Sequence, residues 1–122
     1  MAQNPYMKFW ISDYIGKTHF LSLAEHGAYV RLLIEAWKTP TCSLPDDPAW
    51  IKRRLGVSDE EFTKSVQPVI AEFWLKEDHR IYQKRQRKEF QEMVYRSEMA
   101  KMAINKRWHG EKVISLKPKD KV

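Results

Sequence analysis

Residues 47–62, DPAWIKRRLGVSDEEF, contain two helix starts and one helix stop in a single short run. Asp47 precedes Pro48, which pairs a side-chain acceptor for orphan amides with a proline where its missing donor costs nothing. Gly56 ends that helix, and Ser58 with Glu61 three residues on forms a capping box that opens the next. The chain must therefore turn sharply between two helices, the outline of a helix-turn-helix. Its first helix carries Lys52, Arg53 and Arg54, but its second opens with Asp59, Glu60 and Glu61. In DNA-reading units of this kind the start of the second helix enters the groove, so an acidic start argues against sequence-specific reading.

The flanking patterns extend this unit. Ser22 and Glu25 form another capping box, and Leu23, Val30, Leu33, Ile34 and Trp37 follow at helical spacing until Pro40. Upstream, YMKFWI (6–11) is aromatic and β-branched and predicts a short strand, with SDYIGKT as a turn or single helical turn. TPTCSLPDDP reads as loop. After Ser58, the residues Phe62, Val66, Val69, Ile70 and Phe73 repeat as one apolar face, and Pro68 predicts a kink or split near Gln67. FWLK and RIYQK flank EDH as a hairpin, with His79 standing where glycine is more usual.

From Gln86 to about Trp108 the chain favours helix throughout, with Lys88–Glu92 and Glu92–Arg96 at supporting spacing and Gly110 available as a cap. The expected fold class is mainly α with a small β hairpin (α+β), a winged helix-turn-helix followed by a long C-terminal helix. The expected organisation is a winged-helix domain over 1–85, a basic helix over 86–109 that docks on it or projects from it, and a flexible tail over 110–122.

Composition narrows the function. A chain of 122 residues with 43% hydrophobic content suits one domain with a core. One cysteine, Cys42, excludes an internal disulfide and a cysteine-based zinc site. There is no secretory leader pattern and no apolar run of about 18 residues, so no membrane partner is expected and a cytoplasmic location in a bacterial host cell is. Residues 1–75 hold eight Lys and Arg against nine Asp and Glu, whereas residues 76–122 hold fourteen against seven. The whole basic excess lies in the C-terminal part, where a polyanion is expected to bind.

The segments WISDYIGKTHFLSLAEHGAYVRLL, LPDDPAWIKRRLGVSDEEF, QPVIAEFW and MAKMAINKRW, spanning Tyr6 to Trp108, also resemble the YdaU-like family of phage and prophage proteins of unknown function, some described as replication proteins. The resemblance implies a winged-helix fold and a place in phage DNA replication, initiator-like or replisome-organising. No catalytic residue travels with it, and His79 departs from the Asp-Gly turn expected between the wing strands.

The candidate DNA-binding residues are Lys52, Arg53 and Arg54, then Lys64 and Gln67, then Arg80, Lys84, Arg85, Arg87 and Lys88. Phosphates need cationic donors, and base edges need projecting Arg, Asn or Gln. The third helix offers only Lys64 and Gln67 as readers, so binding through phosphates from the wing onward is the expectation, to duplex or single-stranded DNA. Met99, Met102, Ile104 and Trp108 supply apolar surface for a homodimer or a replication-protein partner. A protein-interaction module and a phage transcriptional regulator stay open as alternatives.

Enzyme chemistry is not expected, nor a cofactor or bound metal. His19, His26, His79 and His109 lack ligand spacing, with His26 read as a hydrogen-bonded structural residue. Cys42 has no base beside it, Asp46 and Asp47 are explained by capping, and the glycines are too scattered for a phosphate loop.

Overall fold

The structure, a computed structural model, describes the backbone of residues 7–114 and the side chains of residues 7–108. It has an α+β fold: α1 (Ile11–Thr18), α2 (Leu23–Trp37), β1 (Leu44–Pro45), α3 (Pro48–Leu55), α4 (Asp59–Glu61), a π-helical turn (Phe62–Val66), α5 (Gln67–Phe73), β2 (Leu75–Glu77), β3 (Arg80–Tyr82) and α6 (Lys84–Ile114). Two compact units divide it, residues up to Phe90 and residues from Gln91 on.

The first unit is built on α2. Its capping box forms as expected, Ser22 Oγ accepting from the Glu25 amide and Glu25 Oε1 from the Ser22 amide. Its buried stripe is offset from the one anticipated. Leu23 and Ile34 face solvent, while Ala28, Tyr29, Leu32, Leu33, Ala36 and Trp37 are buried. The small side chains Ala28 and Ala36 let other elements approach closely, which bulk-based reading of a helix face undervalues. Against this stripe pack Ile51 of α3, Phe62 and Val66 of the π-turn, Val69 of α5, and Leu44, Trp74 and Ile81.

Asp47 caps α3 by accepting from the Ala49 and Trp50 amides, and Gly56 closes it in the left-handed region at φ 71°. The second helix breaks where Pro68 predicted. Proline has no N–H for the Lys64 carbonyl and its ring crowds that oxygen. The backbone widens by one residue instead, and the Gln67 amide donates to the Phe62 carbonyl.

The sheet is antiparallel in the order β1-β3-β2, with Ile81 opposite Leu44 on one side and Lys76 on the other. Asp78 and His79 both have positive φ, 51° and 63°, between the paired residues Glu77 and Arg80. This is a two-residue hairpin of the mirror-image kind that matches strand twist, and His79 tolerates it as the Asp-Gly pair would. The His79 carbonyl accepts from the Asp46 amide at 2.9 Å, fastening the hairpin tip to the end of β1.

Three expectations are corrected. Within YMKFWI, residues 7–10 form no strand and Ile11 starts a helix, while Tyr6 lies outside the described residues. The aromatic residues make side-chain contacts instead: Phe9 lies on Tyr14, and Trp10 Nε1 donates to Glu89 at 2.7 Å. Second, the loop around Cys42 contributes a strand, Leu44–Pro45. Third, α6 passes through Gly110 and continues to Ile114, because a single glycine weakens a helix without ending it. The remainder of the anticipated tail, residues 115–122, lies outside the described residues.

The fully buried Leu32 sits at the centre of this packing. Leu32→Ala should lower unfolding free energy by about 3 kcal/mol in urea titration. A loss under about 1 kcal/mol would mean that the core is not organised around α2.

Candidate nucleic-acid interface

The residues that link the hairpin to α6 set the geometry. Gln83 caps α6 with its side chain, Oε1 accepting from the Gln86 amide at 2.6 Å. Its Nε2 donates to the Tyr29 hydroxyl at 3.3 Å, while Gln86 Nε2 donates to the Leu33 carbonyl at 2.6 Å. Phe90 is buried edge-on against Trp37. The start of α6 is thereby fixed to the core helix.

The ten candidate DNA contacts separate into two groups. Five are held by their own fold. Lys52 Nζ pairs with Asp59 at 2.9 Å and lies over the Phe62 ring. Arg54 pairs with Glu35 at 3.5 Å and stacks on Trp50. Arg80 donates to the Ser43 hydroxyl and carbonyl at 2.6 and 3.0 Å, bracing β3 against the loop before β1. Arg85 pairs with Asp13 and Glu89 and covers Trp10. Arg87 pairs with Glu77 at 2.8 Å and lies 3.7 Å over the Tyr82 ring. The partners Asp13, Glu35, Trp10 and Trp50 have no place in a charge-run reading, since three of these four contacts join residues distant in sequence and no short-range pattern marks them.

The other five, Arg53, Lys64, Gln67, Lys84 and Lys88, are exposed and make no ion pair. Lys84 and Lys88 stand one turn apart at the start of α6, whose first turn holds no acidic residue. Cations at the positive end of a helix dipole are unfavourable by roughly 0.3–1 kcal/mol each. Glu77 and Glu89 relieve Arg87 and Arg85, but nothing of the kind relieves Lys84 and Lys88.

The acids at the opening of the second helix are mostly occupied as well. Glu61 closes the Ser58 capping box and Asp59 holds Lys52, which leaves Glu60 exposed and unpaired.

The four anticipated interaction residues are all exposed but do not share one face. Ile104 and Trp108 follow Val94 on one side of α6, whereas Met99 and Met102 follow Tyr95 on another, as helical periodicity requires. Of the remaining reactive groups, Cys42 is fully buried and burial pushes its thiol up to about 12, so it is protonated and unreactive at neutral pH. His26 Nδ1 lies 2.6 Å from the Tyr14 hydroxyl, a structural pairing. No group of three or more His, Cys, Asp or Glu side chains arranged to hold a metal occurs among the described residues. No helix among them is long and apolar enough to cross a membrane.

The model of a family described as a protein of unknown function (DUF1376) matches residues 5–91, more than half of the chain. The chain belongs to the DUF1376 family. This agrees with the YdaU-like resemblance of its motifs, and the match stops at Gln91, so the exposed stretch of α6 lies beyond it. The uncharacterized protein YdaU of Escherichia coli (strain K12) is 49% identical to it over 39 residues, 32% of this chain and 14% of that relative. The chain thus spans only a small part of that protein's length. No solved structure matches this DUF1376 chain.

One buried carboxylate, Glu35, links α2 to α3. Burial of Glu35 alone would raise its pKa, but the Arg31 hydrogen bond and the charges of Lys38, Arg31 and Arg54 outweigh it and hold the carboxyl below its ordinary value. A depressed folded-state pKa adds stability above the unfolded pKa that is lost as pH falls through the folded one. Chemical denaturation between about pH 6 and pH 3 should therefore show a fall in stability that is shallower in Glu35→Gln. Identical pH slopes for the two proteins would remove Glu35 from the acid response.

Proposed function

We propose that this chain is a non-enzymatic DNA-binding protein of winged-helix type that grips DNA mainly through phosphates, using the start of α6 beside the hairpin wing. The observation that carries this reading is the Lys84 and Lys88 pair, exposed, unpaired among the described residues and one turn apart at the start of α6, with Lys84 at the helix end where its own charge is least favourable. A helix N-terminus attracts anions, and two lysines one turn apart add charge to that attraction. A phosphate backbone satisfies both at once.

The order helix, helix, short strand, helix, composite helix and hairpin, with β1 and β2 flanking β3, supports the winged-helix assignment. In this reading the composite helix Asp59–Phe73 is a scaffold and no base reader, since Lys64 and Gln67 are its sole exposed candidates for contact and Glu60 stands free at its leading end. Arg53 adds a further phosphate contact from α3. The motif resemblance to phage and prophage proteins supports a role in initiating DNA replication in the cytoplasm of a bacterial host.

Fluorescence anisotropy of labelled duplex and single-stranded oligonucleotides, from low to physiological salt, tests the proposal. Binding should weaken steeply with salt, and Lys84→Ala with Lys88→Ala should lower the duplex log–log salt slope by about 1.8, one counterion term per lost phosphate contact. Lys64→Ala should change affinity less than about twofold. A stronger effect of Lys64 than of the α6 pair would reverse the assignment of the binding face, and no binding at low salt would end it.

A further inference from the structure

Beyond Phe90, α6 carries apolar side chains that its own chain leaves exposed. Tyr95, Met99 and Met102 are 65%, 44% and 60% accessible. Together with Glu92 and Lys106 they occupy positions 92, 95, 99, 102 and 106, alternating steps of three and four that keep one seam on a helix. The opposite seam, with Val94, Ile104 and Trp108, is interrupted by Ser97 and Lys101, so it offers less continuous apolar contact.

We infer that the seam Glu92–Tyr95–Met99–Met102–Lys106 is a homodimer interface in which a second copy of α6 packs antiparallel. Charge along the seam selects both the occupant and its direction. Glu92 stands at one end and Lys106 at the other. A parallel pair would set Glu92 beside the partner's Glu92 and Lys106 beside the partner's Lys106, a like-charge contact at each end. An antiparallel pair, with Met99 of each copy facing Met102 of the other, brings each Glu92 within a turn of the partner's Lys106, at both ends of the interface. Among the described residues neither Glu92 nor Lys106 makes an ion pair, so both are available for this contact.

The centre of the interface is two layers of methionine flanked by tyrosine. Methionine is unbranched and polarisable and fills an irregular seam well, and tyrosine places its ring against the partner while its hydroxyl stays wet. Antiparallel packing also opposes the two helix dipoles. The resulting dimer is independent of whether Lys84 and Lys88 bind DNA, and its test uses no nucleic acid.

Light scattering and sedimentation of the full chain should show a concentration-dependent monomer–dimer equilibrium. Met99→Glu with Met102→Glu keeps good helix formers but buries charge in the seam, and should raise the dimer Kd by about 100-fold or more. Glu92→Lys alone and Lys106→Glu alone should each raise it about tenfold, while the double exchange E92K with K106E should return it to near the original value. Circular dichroism of each variant checks that the helix is retained. A protein that stays monomeric at about 200 µM, roughly the upper range for a dimer of functional strength, would overturn the inference. So would a dimer indifferent to the methionine changes, or a double exchange no better than the single ones, the last excluding the antiparallel arrangement.

Discussion

One helix face holds the first unit together. Ala28, Leu32, Leu33 and Ala36 of α2 receive the apolar side of α3, the π-turn, α5 and the central strand, and the same helix anchors the start of α6 through its Leu33 carbonyl and Tyr29 hydroxyl. Because those two hydrogen bonds end on Gln86 and Gln83, Lys84 rises between two tethered residues. Its backbone is thus fixed by the core although its side chain is exposed. Glu35, on the neighbouring turn, does for α3 what the glutamines do for α6, drawing Arg54 toward α2 while Arg31 and Lys38 share its charge.

Those tethers decide which cations remain free. A solvent-exposed ion pair is worth little in stability, roughly 0–1 kcal/mol, but it fixes where a side chain points. Arg54, Arg80, Arg85 and Arg87 are all arginines with planar groups matched to a carboxylate, a hydroxyl and carbonyl, or an aromatic face. Arg53, Lys64, Lys84 and Lys88 are the ones left to solvent. The division does not follow side-chain type alone, since Lys52 is held by Asp59 while Arg53 stands free, but the forked guanidinium suits the fixed contacts that brace α3, β3 and the start of α6.

Local chemistry was legible in the sequence and distant chemistry was not. Both serine–glutamate capping boxes, the Asp47 cap, the Gly56 stop, the break before Pro68 and the hairpin at Asp78–His79 arise from residues within a few positions of one another, and all form where the pattern puts them. Residues 7–10 form no strand, and their aromatic side chains instead make contacts with Tyr14 and Glu89, the latter distant in sequence. The buried stripe of α2 was misjudged for a related reason: two alanines mark close packing that only the opposing helices reveal. At the candidate interface the availability of each cation was hidden. Asp13 lies far from Arg85 in the chain, and Glu35 far from Arg54, so no window of sequence couples them.

The acidic opening of the second helix also changes meaning once its partners are known. As a bare sequence, Asp59, Glu60 and Glu61 place three negative charges at the end of a recognition-type helix. In the fold, Asp59 neutralises Lys52, while Glu61 is bound back to the Ser58 amide and keeps its charge, so the local field is that of two carboxylates, Glu60 and Glu61. At physiological ionic strength an exposed charge is screened beyond about 8 Å. Repulsion of DNA from this end is therefore weak, but attraction is weak too, because the same pairing removes Lys52 from the surface. This end of the composite helix therefore offers little pull on a polyanion. In the proposed reading the pull on phosphate comes from cations away from this end, Arg53 of α3 and Lys84 and Lys88 of α6, which are exposed and make no ion pair among the described residues.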